Sequence, residues 1–328
     1  LENMLYGKTE VSGTNRETAV NARRRLPVFD LFVAGATSGK IGVVLSVLGA
    51  IFSQIDTLLP KHFYSNVLRN LVESSLSFIV LLIFAIAVCA WILAILGTMI
   101  KYAGFTLSRA DHELQISYGL LERRRVTIEI RRIQAVRVVE GMLRQPFGLA
   151  TVYVESAGGS GGKEEDYSTV LFPLLRKKEL PSFFGEFVPD YPGSPKFVPA
   201  PKNALPHYVI RQVLFLLVIL VPVAIWIPWG VWSLILLPWA AILGAMQYRA
   251  AGWATSGEFR VLRFRHLRRM TVFIPRRNIQ ARERRQSFFQ EKSKVATYQV
   301  SVMSKRAGKN FRVAYLDERQ VRELVKIR

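Results

Sequence analysis

From Gln212 to Tyr248 the chain runs 37 residues without a charged side chain, and no other feature limits its possible folds as much. At about 1.5 Å per residue, one straight helix of that length overshoots the roughly 30 Å hydrocarbon layer of a bilayer by about 25 Å. The segment therefore has to fold back on itself. The break belongs at Ile227-Pro228-Trp229-Gly230, because proline removes a helical hydrogen bond, glycine permits a turn and tryptophan suits the membrane interface. Arg211 and Arg249 then mark the two ends of a helical hairpin on one face of the membrane.

A second uncharged run, Ser74–Ile100, has 27 residues and reads as a spanning helix. A third, Ile41–Leu59, is weaker: Lys40 and Asp56 leave 15 uncharged residues between them. It reads as a further span, with an interfacial helix as the alternative. Four helices make two hairpins. The only positive charges on their far side are then Lys61 and Arg69, while Arg23, Arg24, Arg25, Lys101, Arg211 and Arg249 lie on the near side with both long polar segments. The positive-inside rule makes that side cytoplasmic. Composition agrees. Half the residues are hydrophobic although the formal charge is +21, which means apolar blocks in lipid and polar blocks in water rather than an ordinary soluble enzyme. The single cysteine, Cys89, lies inside an apolar block and forms no internal disulfide.

The polar segments Tyr102–Leu205 and Ala250–Arg328 read as β-rich, and the second repeats the first. In RRVTIEI, Val126, Ile128 and Ile130 alternate with polar residues, and TVYVES does the same. The glycine-rich run 157–162 closes a hairpin before YSTVLF, and LLRKKELPSFFGEF is more helical in pattern. An offset of 146 relates Ile133-Gln134-Ala135 to Ile279-Gln280-Ala281, Ala150-Thr151 to Ala296-Thr297, and Val126 and Ile128 to Val272 and Ile274. The chain ends on a strand and a helix with Asp317 as its N-cap. Its unit is two membrane helices plus one small β-domain, used twice. The boundaries are a polar, interfacial segment at 1–37, hairpins at 38–101 and 207–249, domains at 102–188 and 250–328, and a proline-rich linker at 189–206.

These residues carry a resemblance. GLLERRRVTIEIRRIQAVRVVEGMLRQPFGLATVYVES resembles the signature of the bacterial membrane-associated pleckstrin-homology-like domain, and the order of helices and domains is similar to the YdbT group of that family. The likeness covers Ala103–Phe172 well and Ala251–Arg328 more loosely. Where the first copy has Gln145-Pro146-Phe147-Gly148-Leu149, the second has Glu291-Lys292-Ser293-Lys294-Val295, without the Gly-Leu pair. The resemblance implies a seven-stranded bent antiparallel sheet capped by a C-terminal helix in each domain. It also implies a further copy upstream in longer members, which suits a chain beginning at Leu1, and a smaller single-domain relative as partner.

Chemistry is harder to find. His62, His112, His207 and His266 are scattered, so no metal site is expected. AGGSGGKE has the wrong spacing for a phosphate loop. No catalytic residue and no cofactor is nominated. Gln54 and Asp56 are the candidate intramembrane polar site on which a transporter or channel subunit would depend.

Charge separates the two domains. Tyr102–Leu205 has 14 basic and 12 acidic residues, whereas Ala250–Arg328 has 20 and 6. The excess gathers at Arg260, Arg263, Arg265, Arg268 and Arg269, then at Arg276, Arg277, Arg282, Arg284 and Arg285, with Phe288 and Phe289 following. Of these, Arg263, Arg265, Arg268, Arg269, Arg276, Arg277, Arg284 and Arg285 are the candidate contacts for anionic lipid headgroups. An acidic surface on a partner, either a smaller relative or a second copy, is the competing ligand, and a solvated basic face with no ligand is the bland reading. Nucleic acid is not expected, since no recognition helix accompanies the charge. The sequence thus points to a non-enzymatic membrane scaffold, with envelope maintenance or resistance to membrane-active peptides as the family-level role.

Overall fold

The computed structural model describes residues 20–39, 41–55, 76–156, 168–193, 195–226, 230–303 and 308–326. The first unit runs β1 (Val20–Arg25), α1 (Val28–Ala36), α2 (Ile41–Ile55), α3 (Leu76–Tyr102), β2 (Thr106–Ala110), β3 (Glu113–Tyr118), β4 (Arg124–Glu129), β5 (Ile133–Glu140), β6 (Leu149–Ser156), β7 (Thr169–Arg176) and α4 (Leu180–Phe187). The second runs β8 (Val198–Pro199), α5 (Leu205–Trp226), a 3-10 stretch (Gly230–Leu236), α6 (Leu237–Ala250), β9 (Gly252–Ser256), β10 (Phe259–Arg265), β11 (Arg269–Pro275), β12 (Ile279–Arg285), α7 (Phe288–Lys292), β13 (Val295–Val302), β14 (Lys309–Asp317) and α8 (Glu318–Lys326).

Among the described residues, three helical segments are long and apolar enough to cross a membrane: Val80–Tyr102, Lys202–Trp226 and Gly230–Ala250. The last two are the hairpin that the long uncharged run demanded. Helix α5 ends at Trp226 and helix resumes at Gly230; Ile227, Pro228 and Trp229 of the expected break lie outside the described residues. Its two arms pack backbone to backbone at Gly244, where a Cβ would stand 2.7 Å from Val209 Cα and 2.8 Å from Tyr208 O. Such close approach is what small residues allow between membrane helices. In the first unit the corresponding contact joins α1 to α3, and there the glycine is on the other partner: Gly35 lies against Ile95. Helix α2 is described as far as Ile55; the remainder of the weak apolar run, including Asp56, lies outside the described residues.

The duplication extends to individual hydrogen bonds. Ile130 N–H donates to His112 O at 2.8 Å, and Arg276 N–H to Glu258 O at 2.8 Å. Lys177 N–H donates to Gly148 O, and Glu318 N–H to Lys294 O. Asp111 and Gly257, 146 positions apart, both have positive φ, as do Gly148 (63°) and Lys294 (55°). The second copy therefore keeps the backbone of its connecting segment although the Gly-Leu pair is gone. Among the described residues both units have seven strands, because each borrows one from the preceding segment: β1 pairs with β2, and β8 with β9. The polar lead-in and the proline-rich linker showed no alternation, so neither strand was legible. Helix α8 is capped as expected, with Asp317 Oδ1 accepting from Arg319 N at 2.9 Å.

The fourteen strands do not form one sheet per domain. They make a four-stranded sheet β1-β2-β3-β4, a seven-stranded sheet β7-β6-β5-β11-β10-β9-β8 and a three-stranded sheet β12-β13-β14. The middle sheet is shared: β5 of the first domain pairs antiparallel with β11 of the second, from Arg269↔Glu140 to Phe273↔Val136. The cores interlock across it. Phe273 sits edge-on to Phe184 of α4 at 5.3 Å, and Tyr191 packs on Phe259 at 4.7 Å.

An L-residue in the left-handed region costs about 1–2 kcal/mol, less what glycine loses in entropy. Lys294→Gly is therefore expected to stabilise the protein by about 0.5–1 kcal/mol and Gly148→Ala to destabilise it by about 1 kcal/mol, read from denaturation midpoints of the full chain in detergent.

Candidate functional site

Two acidic residues of the first domain, nearly inaccessible to solvent, hold it to the second. Glu140 takes a two-pronged contact from Arg269, with Nε at 2.8 Å. Glu155 is paired with Arg137 of its own domain at 2.5 Å and with Lys309 of β14 at 2.7 Å. Asn278 Nδ2 adds a bond to Ile133 O at 2.9 Å. Arg269, one of the eight candidate contacts, is thereby part of the joint between domains.

Three of its neighbours tie the β10–β11 hairpin to the membrane helices or are buried in it. Gln247, buried near the end of α6, donates to His266 O at 3.0 Å and accepts from Arg211 at 2.8 Å and Gln212 at 3.0 Å. Arg263 Nε donates to Ala250 O at 3.1 Å, and its guanidinium lies 4.1 Å from the Phe197 ring centroid. Arg265 is buried, with no hydrogen-bond partner for Nε or Nη2 among the described residues. Burial, together with the charge of Arg269, pulls the pKa of both Arg263 and Arg265 below the usual arginine value.

The turn itself carries Leu267 and Arg268, both exposed, into a cavity of about 280 Å³. Its other walls are Thr37, Ser38 and Gly39 after α1, Thr98 and Tyr102 of α3, and Gly141–Arg144 after β5. The cavity thus sits where α1 and α3 meet both domains. Arg144 forms its floor and is 8% exposed. Its guanidinium donates to Thr37 Oγ1 at 2.9 Å, Ala34 O at 2.8 Å, Pro173 O at 3.1 Å and Thr151 Oγ1. All four acceptors are neutral, and two of them come from the C-terminal end of α1, where the helix dipole favours a cation. Burial and the nearby Arg268 charge both lower the Arg144 pKa. No carboxylate lines the cavity, and Ser38 Oγ has no partner among the described residues.

Arg144 was not marked by the sequence reading. The one signal that could have found it is the repeat: its counterpart, Gln290, donates to Thr297 Oγ1 at 3.1 Å as Arg144 does to Thr151. The other candidates lie elsewhere. Arg276 and Arg277 border a larger cavity of about 670 Å³ with Asp190, Tyr191 and Glu258. Arg284 pairs with Glu318 at 3.0 Å and Arg285 with Glu283 at 2.9 Å. The eight arginines therefore do not share one face. Gln54 falls in α2, and Asp56 lies outside the described residues.

A model of the bacterial PH domain matches residues 43–185 and 209–327. The UPF0699 transmembrane protein YdbT of Bacillus subtilis (strain 168) is 37% identical over 287 residues, which cover 87% of this chain and 58% of that protein. The chain thus spans less than two thirds of its relative's length. No solved structure matches it.

Removing one partner of a buried ion pair costs about 3–5 kcal/mol. Glu140→Ala is expected to cost about 3 kcal/mol by that mechanism, and amide exchange across Val136–Glu140 should speed up before that of β2–β4. His266 supplies a pH test. Burial and the charges of Arg312 and Arg211 depress its pKa. Its neutral form thus contributes stability that is complete above the unfolded value of about 6.5 and is lost as pH falls through the lower folded value. Melting temperature should fall more between pH 7 and pH 5.5 in the parent than in His266→Asn.

Proposed function

Because the chain belongs to the bacterial PH domain family, we propose that it is a non-enzymatic scaffold of the bacterial inner membrane, with both domains cytoplasmic, in which the membrane-proximal arginines hold anionic phospholipid headgroups. The observation that carries this is the cavity at the head of the first hairpin. Two arginines, Arg144 and Arg268, border it with no carboxylate among its lining residues. Met142, Leu143 and Leu267, all exposed, stand at its rim. A headgroup phosphate answers the cations, and acyl chains answer the apolar rim.

The shared sheet gives this reading its mechanical sense. Both domains are tied through β5 and β11 and each is tied to its own hairpin, so lipid held at one point orients the whole soluble mass against the bilayer. Proteins are the second class of ligand. Phe288 and Phe289 occupy the repeat positions of Met142 and Leu143 and are about three-quarters exposed, beside Arg284 and Arg285. Exposed aromatic residues next to arginine suit a protein partner, either a smaller PH-like relative or a second copy. Envelope maintenance is the role that such a platform fits.

The test is native mass spectrometry of the full chain released from bilayers mixing phosphatidylglycerol and phosphatidylcholine. Phosphatidylglycerol is expected to be enriched at least fivefold on the protein, and Arg268→Glu to abolish the enrichment. Equal retention of both lipids by the parent would overturn the headgroup reading.

A further inference from the structure

The repeat supplies an internal control for the core of each domain, and at one place the control fails. In the first domain Leu114, Val136 and Val152 are fully buried and Ile130 packs against them. These four form an ordinary apolar centre. Adding 146 to each number gives Arg260, Arg282, Tyr298 and Arg276. The correspondence rests on the paired hydrogen bonds Ile130–His112 and Arg276–Glu258. It rests also on the ladders, where Val138 faces Val152 and Arg284 faces Tyr298. Three arginines and a tyrosine thus replace four aliphatic side chains inside the second domain.

Arg260, Arg276 and Tyr298 each keep polar atoms without a partner among the described residues. Arg260 is 2% exposed and Tyr298 fully buried. Arg260 donates through Nη1 to Thr255 Oγ1, whereas its Nε and Nη2, Arg276 Nε and Tyr298 Oη have no hydrogen-bond partner among the described residues. The charges of Arg276 and Arg282 act on Arg260, and those of Arg260 and Arg282 on Tyr298, so the four make one cluster. Arg276 and Arg282 are half-buried and open it to solvent. Burying a guanidinium with unmet donors is unfavourable, and aliphatic residues at these positions would avoid that cost. Arginine forks with a tyrosine hydroxyl are the donor set that phosphate oxygens accept.

We infer that the interior of the second domain binds a soluble phosphate-bearing anion through Arg260, Arg276, Arg282 and Tyr298. The bilayer is at the other end of the strand. His266 is tied to Gln247 of the membrane helix α6, and at about 3.3 Å per residue β10 places Arg260 about 20 Å from that turn. The site is therefore separate from the headgroup cavity, and its ligand comes from the aqueous phase.

The experiment uses the full chain in phosphatidylcholine nanodiscs, titrated by calorimetry with inorganic phosphate and with pyrophosphate. Pyrophosphate is expected to bind at one site per chain and more tightly than phosphate. Arg260→Leu and Arg276→Ile, which restore the residue types of the first domain, are expected to weaken it at least tenfold while the melting temperature holds or rises. Arg260→Lys, which keeps the charge and loses the fork, should fall between. Pyrophosphate binding is expected to survive Arg268→Glu, and phosphatidylglycerol enrichment to survive Arg260→Leu. Absence of pyrophosphate binding, or binding unchanged in both Arg260→Leu and Arg276→Ile, would overturn the inference. So would Arg260-dependent enrichment of phosphatidylglycerol without pyrophosphate binding, which would assign these arginines to lipid.

Discussion

The pairing of β5 with β11 is the contact on which the rest of the architecture depends. Without it, the chain would be two hairpins with two small domains joined by a linker, each domain free to turn on its own stem. With it, one sheet crosses both domains, Phe273 enters the first domain's core against Phe184, and the buried carboxylates Glu140 and Glu155 each receive a cation from the second domain. The ladder supplies the adhesion, since buried ion pairs recover little beyond their own desolvation. The pairs supply register, because a slip of one residue would bury a carboxylate beside an apolar side chain.

The same arrangement explains which strands stay open. In the first domain β4 is an outer strand, and in the second its counterpart β11 is covered by β5. In the second domain β12 is an outer strand, and its counterpart β5 is covered by β11. These two outer strands carry charge: Arg124, Arg125 and Glu129 on β4, and Arg282, Glu283, Arg284 and Arg285 on β12. Charged side chains on an edge discourage further strand addition. Superposed by the repeat, β12 would set Arg284 and Arg285 against Arg125 and Arg124, so like charges oppose end-to-end stacking of copies through these strands.

Much of the fold was legible because its signals are local. An uncharged run longer than the bilayer is thick, with Pro228 and Gly230 inside it, can satisfy its backbone only as a hairpin. The offset of 146 is likewise visible without knowing any contact. The candidate site was less legible. Arginines counted along the chain suggested one basic face, yet each meets different surroundings. Arg263 stacks on the linker, Arg265 is buried, Arg268 is exposed and Arg269 is in the joint. Arg144, which lies in no charge run, proved to be the cation that seats α1 on the first domain. Charge density in sequence records how many cations a segment has; burial and partners decide which of them remain available.

The sequence by itself determined that this chain enters a membrane, that its long uncharged run folds back there, and that a helical pair with a β-domain occurs twice. Those properties follow from hydrocarbon thickness, backbone hydrogen bonding and periodicity, all of which act over short stretches of chain. Only the tertiary structure decided that the two domains share a sheet, that β1 and β8 are drawn in from polar segments, and that the centre of the second domain holds arginine where the first holds leucine and valine. Each of these depends on which residues distant in sequence meet, and strand pairing between domains leaves no period in the chain from which it can be read.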